Sequence, residues 1–214
     1  MPGRFGLALM ALVARALFEI RVTGIEHLPA SGPAVIAGNH VSALDGVLLG
    51  IVVWRRGGRV TRFLTAAEFF RHRIFGPVLR AYRQIPLRRG QGDSDALGEA
   101  IATVHDGAVA GIYPEGGVNP DPETGLQRGR TGVARIALAA QAPVVPVGVW
   151  GTQRRWPRGG IRFGPPLRPV VAFAFGPPTA LEGDLAIYEQ TQRATERVMA
   201  VIGEQVAVAR SLAG

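Results

Sequence analysis

The 214-residue chain contains no cysteine and no lysine. Without cysteine there is no disulfide, no thiolate metal site and no cysteine nucleophile. Without lysine neither a Schiff base nor a lysine-dependent phosphate loop can form. Aromatic residues amount to 7% and make no array on which bases would stack, and no nucleic-acid motif is present, so nucleic acid is not an expected partner. The pattern Gly-x-Ser-x-Gly is missing, and with it the serine nucleophile elbow. His-Glu-x-x-His is missing too and the four histidines are scattered, so neither a metal nor a cofactor is expected. The apolar run at the N-terminal end, Phe5 to Ala14, is short. Its ten residues give about 15 Å of helix against about 30 Å of bilayer hydrocarbon.

What is present is arginine. All 24 basic residues are arginine, the formal net charge is +8, and such a balance favours anionic partners such as a membrane surface, a phosphorylated substrate or an acidic carrier. Apolar residues make up 47%, which excludes a disordered chain, and the length suits one domain with a sizeable core. Residues 4–20 read as a helix with Arg4, Ala8, Ala11, Arg15 and Glu19 on one narrow stripe and large apolar residues over much of the rest. That pattern predicts a helix lying in a membrane interface, against two alternatives: a helix packed on the core, and a signal peptide, which Arg15 disfavours. We therefore divide the chain into a membrane-interface helix, 1–20, and one domain, 21–214.

The stretch with most chemistry is Gly38-Asn39-His40-Val41-Ser42-Ala43-Leu44-Asp45-Gly46. A strand-like run, Ala34 to Ala37, precedes it and a helix-like one, Val47 to Trp54, follows. On a helix His40 and Asp45 would sit about 140° apart, and on a strand they would lie roughly 16 Å apart on opposite faces. They meet only if the chain turns between them, where Asp45 can fix the imidazole tautomer and leave the other nitrogen as a base. Ser42-x-x-Asp45 also reads as a capping box, which would make the aspartate a purely structural residue.

Further along, strand and helix patterns alternate. Strands are expected at 21–24, 60–65, 84–89, 108–113, 142–149 and 169–175. Helices are expected at 66–82 (broken at Gly76-Pro77), from Asp93 to His105, from Arg130 to Gln141 and from Asp184 to Leu212. Pro146 predicts an edge strand or a bulge. The alternation predicts an α/β fold, a single domain with a largely parallel or mixed central sheet flanked by helices. Sites then belong at the edge where strands end, near Asn39, Arg89 and Tyr113.

Asn39-His40-x4-Asp45 resembles the first motif of the glycerolipid acyltransferases, the family that includes the bacterial 1-acylglycerol-3-phosphate acyltransferases. Gln84 to Arg89 resembles the second: Arg89 matches an arginine associated there with the substrate phosphate, and Arg83 stands where the family has glycine. Tyr113-Pro114-Glu115-Gly116 resembles the start of the third, Phe-Pro-Glu-Gly-Thr-Arg-Ser, but Gly117, Val118 and Asn119 replace its last three residues. The lost arginine makes Arg128 and Arg130 candidates to replace it. Val145-Pro146-Val147 matches the fourth motif, which lies beside the acyl-binding region in the family.

The resemblance implies acyl transfer from acyl-CoA or acyl carrier protein to the free hydroxyl of lysophosphatidic acid, giving phosphatidic acid for phospholipid synthesis. His40 would be the base and Asp45 its support. Arg89, Glu115, Gly116, Gly117, Arg128 and Arg130 would surround the phosphate and glycerol. The expected location is the cytoplasmic face of the cell membrane, peripheral or monotopic. Two alternatives stand beside this: an acyltransferase for another lysophospholipid or polar lipid, and a non-catalytic basic protein that binds membrane or nucleic acid.

Overall fold

In the computed structural model, residues 4–88 and 93–214 are described. Seven strands form one sheet: β1 (Glu19–Thr23), β2 (Ala34–Gly38), β3 (Thr61–Ala66), β4 (Ile85–Leu87), β5 (Val109–Ile112), β6 (Val144–Trp150) and β7 (Val170–Phe175). Their order is β1-β7-β6-β2-β5-β3-β4. Every pairing is parallel except β6 with β7, which makes the sheet mixed. Six helices flank it: α1 (Arg4–Leu17), α2 (Asp45–Gly57), α3 (Phe75–Ala81), α4 (Ser94–His105), α5 (Gly132–Ala140) and α6 (Tyr188–Ala213).

The two-residue period of the strands sorts the core into layers. Ile36, Val145, Val147 and Phe173 point to the face covered by α1 and α2. Val35, Ala37, Ala110 and Val144 point to the face covered by α4, α5 and α6. With both faces covered the strands need no polar side, and β2 and β6 are buried at every position. The five parallel strands β2 to β6 end at a common edge, and there the chain turns at His40 after β2, at Tyr113 after β5 and at Gly151 after β6.

Four sequence expectations change. Pro146 stands in an interior strand between β2 and β7, not at an edge. It is tolerated because it ends the regular β6–β7 ladder: its carbonyl accepts from the Gly176 N–H at 2.9 Å, and the reciprocal bond is lost. The next bridge, Val144 with Thr179, is one residue out of register, the bulge that the sequence also allowed. Gly76-Pro77 does not break a helix but begins one, since α3 starts at Phe75 and proline fits a first turn whose N–H groups need no partner. The residues before it, Ala67–Arg71, form a short 3₁₀ helix. The helix-like run Val47 to Trp54 extends further, since α2 runs on to Gly57 and ends on a left-handed Gly58 whose N–H bonds the Trp54 carbonyl.

The N-terminal helix departs most. It ends at Leu17, so Glu19, the last residue of the expected stripe, belongs to β1. Ala11 and Ala14 face the core with Phe18, while Phe5, Leu9, Leu12, Val13 and Leu17 are exposed. The small residues permit close approach to the body, and the large apolar ones face outward. Among the described residues no helix is long and apolar enough to cross a membrane.

Candidate active site

The corner after β2 folds around one carboxylate. Asp45 opens α2 and is fully buried. Its Oδ2 accepts from the Val41 N–H at 2.8 Å, the Ser42 N–H at 2.8 Å and the His40 ring Nδ1 at 2.9 Å. The dyad is made, but only half of the capping box is: the Asp45 carboxylate returns to the Ser42 N–H, while the N-cap of α2 is Leu44 and no side chain caps it. Ser42 Oγ in turn accepts from the Leu44 N–H at 3.1 Å. A carboxylate accepts only, so Nδ1 carries the proton and Nε2 is left with its lone pair. Nε2 has no hydrogen-bond partner among the described residues, and the side chain keeps 15% exposure, enough for a small reacting group to reach it.

The second oxygen of Asp45 belongs to a residue that sequence reading missed. Thr152 is completely buried, and its hydroxyl donates to Oδ1 at 2.5 Å. It sits in the one-turn 3₁₀ helix Thr152–Arg154 just after β6, 107 positions from its partner. Only the adjacency of β2 and β6 brings the two together, and no local pattern announces it.

The backbone of His40 is clamped from β5. Its N–H donates to Glu115 Oε1 at 2.7 Å, and its carbonyl accepts from the Asn119 N–H at 2.7 Å. Glu115 Oε2 takes the Gln127 N–H at 2.9 Å and the Asn119 amide at 3.1 Å. Both oxygens of Glu115 thus serve the fold of the turn. Burial holds its carboxyl above the ordinary range, against the pull of those N–H groups. Asn39 adds a second clasp: its amide donates to the Val149 carbonyl at 2.9 Å and accepts from the Val149 N–H at 2.7 Å.

Tyr113 lies flat on the imidazole, with ring centroids 4.2 Å apart and planes 12° apart, and Phe63 stacks on its other side at 5.7 Å. Gly111 makes room for Phe63, since a Cβ there would fall 2.4 Å from that ring. The Tyr113 hydroxyl is buried without a partner among the described residues. Burial, and then the charge of Asp45, push it well above the ordinary phenol range, so it stays protonated.

Gly116 has φ of 74°, and a Cβ there would lie 2.5 Å from Arg130 Nε. The Arg130 side chain therefore lies across the turn, tied in by its backbone N–H to the Pro114 carbonyl at 2.8 Å. Neither Arg128 nor Arg130 has an ion pair or side-chain hydrogen bond among the described residues, and both are exposed. Gly117 faces open space. Arg89 lies outside the described residues; its neighbour Arg88 pairs with Asp95 at 2.9 Å. Arg83 has φ of 52°, the left-handed conformation that the family's glycine at that place adopts freely. A cleft of about 170 Å³, lined by Asn39, Val41, Asn119, Leu126, Trp150 and Val206, lies between the corner and α6. Among the described residues no group of histidine and carboxylate side chains is arranged to hold a metal ion.

The family model described as Acyltransferase matches residues 19–150, a span that contains the corner, the turn and β6. This chain belongs to the acyltransferase family. An uncharacterised protein of Mycobacterium tuberculosis is 27% identical over 158 residues, covering 70% of this acyltransferase and 42% of the relative. The 1-acyl-sn-glycerol-3-phosphate acyltransferase of Bacillus subtilis is 25% identical over 132 residues, 62% of this chain and 63% of that one. The crystal structure of the 1-acyl-sn-glycerophosphate acyltransferase of Thermotoga maritima matches with a TM-score of 0.70 at 22% identity, covering 99% of this chain and 83% of that one. The acyltransferase shares that fold, and it spans about two-fifths of the length of the mycobacterial relatives.

Proposed function

We propose that this acyltransferase moves an acyl group from an acyl thioester, acyl-CoA or acyl carrier protein, to the free hydroxyl of 1-acylglycerol-3-phosphate. The observation that carries the reading is the His40 Nδ1 to Asp45 Oδ2 contact of 2.9 Å, with Nε2 left unbonded at the sheet edge. Nε2 takes the acceptor's hydroxyl proton as its oxygen attacks the thioester carbonyl. The tetrahedral intermediate collapses with cleavage of the carbon–sulfur bond, and the thiolate leaves with the proton held on Nε2. Asp45 supports the imidazolium that forms in between. No acyl-enzyme is needed, in keeping with a sequence that has no cysteine and no Gly-x-Ser-x-Gly elbow.

Arg130, free of partners and lying across Gly116, takes the acceptor phosphate, with Arg89 and Arg128 contributing charge. Glu115 acts by shaping the turn, and Gly116 and Gly117 leave the space. The product is phosphatidic acid, and the enzyme works as a peripheral protein on the cytoplasmic face of the cell membrane, held through α1. The open space at Gly117 and the loss of an arginine at Val118 favour one second reading, an acceptor with a larger or less charged head group.

Thiol release from acyl-CoA tests this, measured with lysophosphatidic acid and with a lysolipid that lacks the phosphate monoester. Release with the first and little with the second is the expected result. Preference for the second acceptor selects the other head group, and no release with any lysolipid removes the proposal.

A further inference from the structure

The charges of this chain are segregated. Residues 1–18, 69–92 and 150–181 hold thirteen of the 24 arginines and none of the sixteen carboxylates. The described parts of these segments meet in space. A Cβ on Gly6 of α1 would lie 2.9 Å from the Tyr82 hydroxyl that follows α3. The Phe75 ring of α3 lies 6.5 Å from that of Trp156. Arg168 closes the ring by donating to the Arg15 carbonyl of α1 at 3.1 Å. The large apolar side chains on this face point outward: Phe163 is 90% exposed, Leu167 84%, Phe5 81% and Ile74 70%.

The loop that carries Phe163 and Leu167 is built, not loose. The Arg155 guanidinium gathers its backbone from inside, donating to the carbonyls of Arg162, Gly164, Pro166 and Leu167 at 2.8 to 3.2 Å. An arginine engaged by four carbonyls holds the loop in one shape and leaves both apolar side chains nothing of the protein to cover. Thr152, which bonds Asp45, stands three residues before Arg155, so this loop is continuous with the corner that carries the base.

We infer that α1, the segment around α3 and the 155–168 loop form one membrane-docking face for an anionic bilayer, with Phe163 and Leu167 entering the lipid and the arginines on the head groups. Exposed apolar side chains on arginine-bearing segments that carry no carboxylate of their own match that partner in both respects. Because the proposed acceptor and product are bilayer lipids, this deepens the proposed function and places docking on a loop beyond the N-terminal helix.

The test uses the full chain, sedimented with vesicles of phosphatidylglycerol and phosphatidylcholine and with vesicles of phosphatidylcholine alone. Phe163→Ser with Leu167→Ser should weaken binding to the anionic vesicles by about tenfold or more, since each side chain loses its apolar burial. The same variant should keep the wild-type rate on a short-chain acceptor dissolved below its micelle concentration, which shows that it is folded. Leu185→Ser with Ile187→Ser, exposed apolar residues outside the three segments, should bind as wild type does. Unchanged binding by the loop variant overturns the inference, as does equal loss in the Leu185 and Ile187 variant or equal binding of wild type to both kinds of vesicle. Failure of the intact chain to transfer acyl groups overturns the proposed function instead, and leaves vesicle binding to be judged separately.

Discussion

The corner at residues 38–46 and the turn at 113–119 lie side by side at the ends of neighbouring strands, yet they are built on opposite principles. At the corner the Asp45 carboxylate and the His40 backbone are both fully engaged. Asp45 takes four hydrogen bonds, and the His40 backbone is clamped through both its N–H and its carbonyl. At the turn Glu115 is equally engaged, but above it lie an unpaired Arg130, an exposed Arg128 and the open space at Gly117. The corner matches the family's first motif throughout, and the turn departs from the third at its last three positions, with Tyr113 for its leading phenylalanine. On the proposed mechanism, a fixed base beside an adjustable phosphate side would let one chemistry serve different acceptors.

The sharpest way to break this contrast is at the base. His40→Ala should lower turnover by about 10²–10⁴-fold with the fold intact, as judged by thiol release and by circular dichroism. Asp45→Asn should be a different kind of damage. Its amide oxygen can take the Val41, Ser42 and His40 Nδ1 bonds while its NH2 donates to the Thr152 hydroxyl, so the shape is kept and the charge that supports the imidazolium is lost. Turnover should fall by less than in His40→Ala but still by orders of magnitude, with melting temperature little changed. If His40→Ala kept wild-type turnover, the base would have to be sought elsewhere.

On the turn side, Arg130→Ala should weaken use of lysophosphatidic acid by roughly 10- to 150-fold, the value of one hydrogen bond to a charged group. Arg130→Lys should recover only part, because it brings charge without the planar fork. The loss should be confined to acceptors with a phosphate monoester. Equal loss on an acceptor without one would make Arg130 a support for Gly116 and shift the phosphate to Arg89 or Arg128.

A smaller effect is expected at Thr152. Thr152→Val keeps the shape and removes the one bond to Asp45 Oδ1 among the described residues, so turnover should fall by roughly tenfold with KM for either substrate little changed. Thr152→Ser should restore most of it. A purely structural role would instead lower stability in both variants without the split between turnover and KM.

Thr152 also marks the boundary of what the sequence can tell. The alternation of strand and helix and the turn that joins His40 to Asp45 were legible, because each rests on local pattern, while the choice between a largely parallel and a mixed sheet was left open. The partner of Asp45 across 107 residues was not, since sheet order decides it. Pro146 is ambiguous for the same reason: a proline signals an edge or a bulge, and only the ladder shows that it marks the shift in register between β6 and the segment after β7. In α1 the wheel identifies the apolar surface, but the alanines, not the leucines, reach the body. Periodicity marks that a helix has two faces; which one packs depends on the space available.

Arg83 offers the gentlest test of how far departures from the family pattern are compensated. The chain turns there between α3 and β4 with φ of 52°, and two hydrogen bonds hold the turn: the Arg83 N–H to the Arg80 carbonyl at 3.0 Å, and Arg62 Nε to the Arg83 carbonyl at 2.7 Å. Both involve backbone atoms of residue 83, so they survive a change of its side chain. The left-handed conformation costs about 1–2 kcal/mol in a residue with a Cβ and nothing of that kind in glycine. Glycine loses more freedom on folding, which offsets part of the gain. Arg83→Gly should therefore raise stability by up to about 1 kcal/mol, a shift of about 2–4 °C in melting temperature for a chain of this length. Thermal unfolding read by circular dichroism checks it, and acyl transfer should be unchanged, because the exposed guanidinium makes no contact in the corner or the turn. A drop in melting temperature would mean that the Arg83 side chain stabilises the fold through something other than its backbone. A selective loss on phosphate-bearing acceptors would move Arg83 from a tolerated departure to part of the phosphate side.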